Sequence, residues 1–150
     1  LADAYLAGAA QLREAVRGLT RDQLLARPVP GKWSTLEVVA HLADFEPVYA
    51  DRIQRLIALT EPDLLGADEN EFARHLFYQG RDVEEELELI AATRRKVARL
   101  VRLVSPEQLG RAGRHSERGR VTLEQVVRSA AAHITHHVGF IAEKRKALGG

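Results

Sequence analysis

Hydrophobic residues recur every three to four positions along most of the chain, and this spacing predicts amphipathic helices. Four segments are long: they cover about residues 2–19, 35–60, 83–104 and 122–147. Shorter helical stretches are predicted at 20–25 and 67–78. No strand alternation stands out, and residues 110–120 are predicted to form a loop. The pattern is typical of an all-α protein, a four-helix bundle with two long connections, in which residues 1–150 form one domain.

Local signals indicate where two of the long helices begin. Ser34 is followed three residues later by Glu37, and Thr122 is followed in the same way by Gln125. Each pair can form a capping box, in which the two side chains bond to backbone N–H groups of the first helical turn. Pro47 falls inside the second long helix and is predicted to kink it.

Composition narrows the class of protein. The 150 residues include 45% hydrophobic and 29% charged side chains, which indicates a folded globular chain. The net charge of +1 argues against a nucleic-acid partner. No run is long and apolar enough for a membrane span, and no signal peptide is visible, so the cytoplasm is the expected compartment. The chain has no cysteine, which excludes disulfides, thiolate ligands and a cysteine nucleophile.

Three histidines are the candidate chemistry. His133 and His137 are four residues apart in the last helix, so their rings share one helix face. His41 lies on the apolar side of the second long helix. Three imidazoles from two helices can hold a divalent metal and leave coordination positions open for chemistry. The alternative is that all three are hydrogen-bonded core histidines.

Other notable side chains are interpreted as structural. His75 and His115 fall in loop-like stretches and are expected to be exposed. His136 points about 100° away from His137, toward solvent or a subunit interface. Trp33 follows a Pro-Gly loop and is expected to pack on the end of the bundle. The arginines of the third long helix alternate faces and are predicted to form a solvated surface: Arg94, Arg95, Arg99 and Arg102.

Two motifs together resemble the DinB/YfiT-like superfamily. The first is Gly-Lys-Trp-Ser at 31–34, followed by Ala-His-Leu-Ala-Asp at 40–44. The second is Gly-Arg-Val-Thr-Leu at 119–123, followed by Ala-His-Ile-Thr-His-His-Val-Gly-Phe-Ile at 132–141. The resemblance spans essentially the whole chain.

The resemblance implies an up-down-down-up four-helix bundle that assembles as a homodimer. It also implies a divalent metal, zinc or nickel, held by His41, His133 and His137. Some branches of the superfamily are thiol-dependent transferases or isomerases that use a low-molecular-weight thiol such as bacillithiol or mycothiol. This chain departs from the commonest second motif at Phe140, where a glutamine is usual.

The leading hypothesis is a metal-dependent enzyme of the hydrolase or thiol S-transferase type. Since the chain has no cysteine, any thiol would come from a cosubstrate. Asp44 is the predicted catalytic base, or the acceptor for an imidazole N–H, and Glu37 is the alternative acceptor. The competing hypotheses are a non-catalytic stress-type bundle that binds a metal or a small molecule, and a plain helical interaction module.

Overall fold

Four long helices form the bundle that the hydrophobic pattern predicts. The structure is a computed structural model that describes residues 1–149. The long helices are α1 (Ala2–Val16), α3 (Thr35–Ala58), α5 (Val83–Leu103) and α6 (Leu123–Ala147), and the short ones are α2 (Arg21–Leu25) and α4 (Glu69–His75). Single 3-10 turns lie at Tyr78–Gly80 and Gln108–Gly110. None of the helices within residues 1–149 has the length and apolar character that a membrane crossing requires.

The beginnings of the helices follow the predicted capping signals. Ser34 accepts a hydrogen bond from the backbone of Glu37, whose side chain bonds back to the backbone of Ser34. Thr122 and Gln125 form the same reciprocal pair at the start of α6. Pro47 lies inside α3 without ending it.

Ion pairs at the two ends of α1 and α5 show the relative direction of these helices. Asp3 at the start of α1 pairs with Arg102 at the end of α5. Arg13 near the end of α1 pairs with Glu84 at the start of α5. The two helices are therefore antiparallel.

The other contacts complete the predicted up-down-down-up order. α6 runs parallel to α1, because Thr135 bonds to Gln11 and Arg145 bonds to Ala15. α3 runs antiparallel to α6, as the two core clusters show. One cluster includes Leu42 of α3 and Ile141 of α6, and the other includes Ile53 of α3 and Leu123 of α6. The neighbours α3 and α5 are then parallel, and the chain needs the long connection at 59–82 to return along the bundle.

A small sheet closes one end of the bundle, and the predicted loop at 110–120 is wrong. β1 (Asp63–Leu64) pairs in parallel with β2 (Ala112–His115), which pairs antiparallel with β3 (Gly119–Thr122). These strands have two to four residues, too few for alternation to show in the sequence. Gly113 is needed there, because a Cβ at this position would lie 2.6 Å from the carbonyl oxygen of Pro62.

His115 was predicted to be exposed, and this is also wrong. It lies in β2 with 7% of its surface exposed. Its Nδ1 accepts hydrogen bonds from the backbone N–H groups of Glu117 and Arg118 in the turn before β3. His75 is exposed as predicted, at the end of α4, where it pairs with Glu71.

The prediction that Arg94 lies on a solvated surface is wrong. Arg94 is fully buried, and its Nε donates to Oε1 of Glu46 at 2.9 Å. Its two Nη groups donate to the backbone oxygens of Tyr5 and Ala130, and the hydroxyl of Tyr5 donates to Glu46. One guanidinium on α5 therefore bonds to α1, α3 and α6, at the level between the two core clusters.

Candidate metal centre

Three histidines from two helices converge inside the bundle. His41 projects from α3, and His133 and His137 project from successive turns of α6. Each offers one ring nitrogen, and the three nitrogens all lie within 4.8 Å of one another. His41 is fully buried and the other two are half-buried, so the cluster opens to solvent on the α6 side.

The spacing of the rings fits a single metal ion. Nε2 of His41 lies 3.1 Å from Nε2 of His133, and the ring centroid of His137 lies 4.7 Å from that of His41. Two nitrogen ligands bound at 2.0–2.1 Å to a tetrahedral zinc ion would lie about 3.3 Å apart. Imidazole nitrogen suits zinc, nickel, copper or iron rather than magnesium or calcium.

The environment keeps all three rings neutral. Burial, together with the neighbouring His133 and His137, lowers the pKa of His41 from 6.5 to about 3. Burial also lowers the pKa values of His133 and His137 to about 4. Neutral imidazole is the form that binds metal, so at neutral pH no proton needs to leave before a metal binds.

The expected hydrogen bond from the His41 ring to a carboxylate is absent. Nδ1 of His41 is buried and has no partner among residues 1–149. Glu37, one of the two predicted acceptors, instead accepts from the backbone of Ser34 and from Nε of Arg27. Within residues 1–149, neither Glu37 nor Asp44 forms a hydrogen bond with the His41 ring.

Asp44 lies one turn after His41 on α3 but is bound elsewhere. Its two carboxylate oxygens accept hydrogen bonds of 2.9 and 2.8 Å from the two Nη groups of Arg81. Arg81 also pairs with Glu86 at the start of α5. This arrangement ties α3 to the segment before α5, and both oxygens of Asp44 are occupied by the guanidinium.

Glu69 is the carboxylate that sequence reasoning missed. It is the first residue of α4, and its Oε2 lies 3.8 Å from Nε2 of His41, with 58% of the side chain exposed. Asp68 caps α4 by accepting from two backbone N–H groups, which was a readable signal for a helix start. No spacing in the sequence, however, connects that helix start to His41.

Aromatic rings surround the cluster. Trp33 lies 5.2 Å from the ring of His41, Phe45 lies 4.9 Å from it, and Tyr49 lies 5.4 Å from the ring of His133. Trp33 packs on the end of the bundle, as predicted, and also forms one side of the histidine cluster.

The open side carries Phe140 and His136. The ring of Phe140, at the position of the usual glutamine, lies 5.5 Å from that of His137 and is 39% exposed. His136 is exposed and contacts Phe140 edge to face, outside the group of three.

A cleft of about 500 Å³ leads from the surface to His137. Its walls carry both apolar and charged side chains: Lys32, Trp33, Val38, Glu69, Phe140, Glu143 and Lys144. A volume of this size accommodates a small organic molecule.

The fold and the site together define a class of protein: up-down-down-up four-helix bundles in which three histidines converge. Residues 4–141 match the DinB superfamily, and the chain belongs to that superfamily.

Two relatives extend the comparison. The chain is 30% identical over 137 residues to a protein of Oceanobacillus iheyensis named "putative metal-dependent hydrolase", covering 90% of this chain and 79% of that protein. The solved structure of YfiT from Bacillus subtilis, described as "a probable metal-dependent hydrolase with an unusual four-helix bundle topology", superposes with a TM-score of 0.91 at 24% identity. That superposition covers 99% of this chain and 85% of YfiT, and it establishes the fold.

Proposed function

We propose that this protein is a metal-dependent hydrolase whose divalent ion is held by His41, His133 and His137. The observation that carries the proposal is the approach of three neutral ring nitrogens to within 4.8 Å inside a largely apolar bundle. Burying three titratable rings together is costly unless a bound group uses them. The names of the two relatives, which both refer to metal-dependent hydrolysis, agree with this assignment.

Three histidine ligands would leave a coordination position open on the ion. With three protein ligands, a tetrahedral ion keeps one position for a water or a substrate atom. A zinc or nickel ion there would supply Lewis acidity, which polarises a carbonyl group and lowers the pKa of a water molecule. The rings of His133 and His137 are half-buried, and His137 lines the cleft, so a ligand could reach the cluster from this side.

Glu69 is the residue we propose as proton acceptor. Its carboxylate lies 3.8 Å from the ligating nitrogen of His41 and is free to move at the cleft rim, since its side chain is mostly exposed. A carboxylate at this distance can accept a proton from a nucleophilic water and pass it to the leaving group. The catalytic role of Asp44 stays a prediction, and its pairing with Arg81 favours a positioning role for it.

The aromatic rings exclude water from the deep side of the site. Trp33 and Phe45 flank His41, and Phe45 packs on Phe72 of α4. Electrostatic interactions between the site and a substrate are stronger in such a poorly hydrated environment.

Binding without turnover is the second candidate, and Phe140 is the observation that favours it. An apolar ring lies beside His137 where a glutamine could orient a ligand or a water molecule. A thiol cosubstrate, a homodimer and a cytoplasmic location stay predictions.

Elemental analysis followed by an activity panel tests the proposal. We expect about one zinc or nickel ion per chain in untagged protein, no metal in His133→Ala, and unchanged metal in His136→Ala, the exposed neighbour. The metal-loaded protein should hydrolyse members of an ester and amide panel, assayed with and without an added thiol. Full metal occupancy without turnover would favour the binding function, and absence of metal from the wild-type chain would overturn both.

A further inference from the structure

Lys144 is a buried lysine near the metal centre. It lies in α6 two turns after His137, lines the cleft, and is only 3% exposed. Within residues 1–149 no carboxylate oxygen approaches its ammonium group within the 4.0 Å of an ion pair. Its nearest described aromatic contact is the ring of Phe140, with Nζ 6.0 Å from the centroid.

A lysine that is almost entirely buried and forms no ion pair is unusual. Lysine is almost never fully buried unless it is paired, because desolvation of the ammonium group is costly. Burial lowers the pKa of Lys144, and the nearby Lys32 lowers it further, while Glu143 and Glu37 act in the opposite direction. A bound ligand with a negative charge would offset the free energy that desolvation of the ammonium group costs.

None of the described carboxylates forms an ion pair with Lys144, although the charges of Glu143 and Glu37 act on it from a greater distance. Glu37 is bound by Arg27 and by the backbone of Ser34. Glu143 is exposed, and Glu69 lies against His41. Lys32, exposed on the loop that carries Trp33, is a second cation lining the same cleft.

Apolar surface lines the same cleft, and the ring of Phe140 lies near both Lys144 and His137. The rings of Trp33 and Phe140 and the side chain of Val38 line the cleft beside His137. The cleft therefore combines two lysines, two exposed glutamates, apolar and aromatic walls, and one histidine of the metal centre.

We infer that the cleft binds a small organic carboxylate, whose anionic group pairs with Lys144 and whose apolar or aromatic part packs between Trp33 and Phe140. This inference rests on the proposed function in one respect: it makes the bound carboxylate the substrate that the metal centre acts on. Lys144 would then select for negative charge, and Trp33 and Phe140 for an apolar skeleton.

Trp33 provides the measurement, since it is the one tryptophan in the chain and lines the cleft. We would titrate metal-free protein with 3-phenylpropanoate and with its neutral isostere 3-phenylpropanamide, following tryptophan fluorescence. We expect the carboxylate to bind at least about tenfold more tightly than the amide. Equal affinities, or no fluorescence change with either probe, would overturn the inference.

Variants assign the preference to Lys144. Lys144→Met should abolish the preference for the carboxylate, and Lys144→Arg should retain most of it. Lys146→Met, which removes an exposed lysine two residues away, should leave it unchanged. Circular dichroism and thermal unfolding would verify that each variant is folded, and a preference that persists in folded Lys144→Met would overturn the assignment.

The use of metal-free protein separates this inference from the proposed function. A carboxylate cannot bind to the histidine ligands through an ion in that sample, so a measured preference reports on the side chains of the cleft, and the Lys144 variants assign it. Carboxylate selectivity in a chain that never hydrolyses a substrate would support this inference and contradict the hydrolase. A metal-loaded, active protein without the selectivity would do the reverse.

Discussion

Arg94 on α5 and Glu46 on α3 form an ion pair of 2.9 Å that has almost no contact with solvent. The pair is extended by the hydroxyl of Tyr5, so that a single polar network joins the four long helices at the level between the two core clusters. Burial raises the pKa of Glu46, while the hydrogen bonds from Arg94 and Tyr5 oppose that increase.

Removal of one partner of this pair should be strongly destabilising. Arg94→Met leaves the carboxylate of Glu46 buried and uncompensated, and we expect a loss of about 3–5 kcal/mol in the free energy of unfolding. Arg95→Met, at the exposed neighbouring position, should change it by less than about 0.5 kcal/mol. Urea unfolding followed by circular dichroism measures both, and a cost for Arg94→Met no larger than the control would contradict the role of the network.

Gly8 is required because Arg94 passes close to it. A Cβ at Gly8 would lie 2.5 Å from Nη1 of Arg94, inside the closest contact that the side chain can accept. Gly8→Ala should therefore destabilise the protein by about 1–3 kcal/mol, although alanine favours a helix. Gly139→Ala on α6 is the matched control: nothing lies near its Cβ position, and we expect a gain of about 0.5–1 kcal/mol. A gain at both positions, measured by urea unfolding, would show that Arg94 can move away at little cost.

Acid should destabilise the metal-free protein before its carboxylates titrate. The pKa values of His41, His133 and His137 are lowered to about 3, 4 and 4, below the value of 6.5 expected in the unfolded chain. Below pH 6.5 the unfolded state therefore binds more protons than the folded state. The stability that is fully present above pH 6.5 is then lost as the pH falls.

One such histidine contributes a loss of about 2 kcal/mol between pH 6.5 and pH 5. Unfolding measured across this interval should show the loss in the wild type and a shallower slope in His133→Gln. His75→Gln, at an exposed position, should keep the wild-type slope. A flat wild-type profile over this interval would mean that the rings are not held neutral.

Glu69→Gln should reduce turnover and leave the metal in place. If Glu69 is the proton acceptor, we expect kcat to fall about 10²–10⁴-fold with metal content unchanged. Glu71→Gln, two residues later on the same short helix, should have nearly wild-type kcat. The pH profile provides a second readout, because the acidic limb that reports the base should disappear in Glu69→Gln.

Asp44→Asn distinguishes the two candidate carboxylates. Its expected effect is on stability, since the amide cannot replace both charged hydrogen bonds to Arg81. A loss of turnover in Asp44→Asn, at unchanged stability and metal content, together with wild-type activity in Glu69→Gln, would restore Asp44 as the base.

Local features of this fold could be predicted from the sequence. Capping at Ser34 and Thr122 depends on residues three positions apart, and the shared face of His133 and His137 depends on residues four positions apart. These short separations are set by helix geometry itself. The same apolar spacing predicted the four long helices, and the bundle confirms them.

The position of Arg94 was predicted wrongly because the prediction relied on the charge of its side chain. This residue lies on the same stripe as Ile90, Val97 and Val101, all buried, so its position on the helix indicated the core. Its identity indicated solvent, and only the acceptors on three other helices make the burial of its charge tolerable.

The sequence by itself determined the helices, their beginnings and the faces that carry His41, His133 and His137, because those depend on periodicity and on contacts within one turn. Only the tertiary structure decided that Nε2 of His41 lies 3.1 Å from that of His133, 92 positions along the chain. It also decided that Glu69, not Asp44, approaches the ring of His41, and that Lys144 is buried without a partner among residues 1–149. Such relationships arise when separate helices pack, and no local spacing encodes which side chains will then meet.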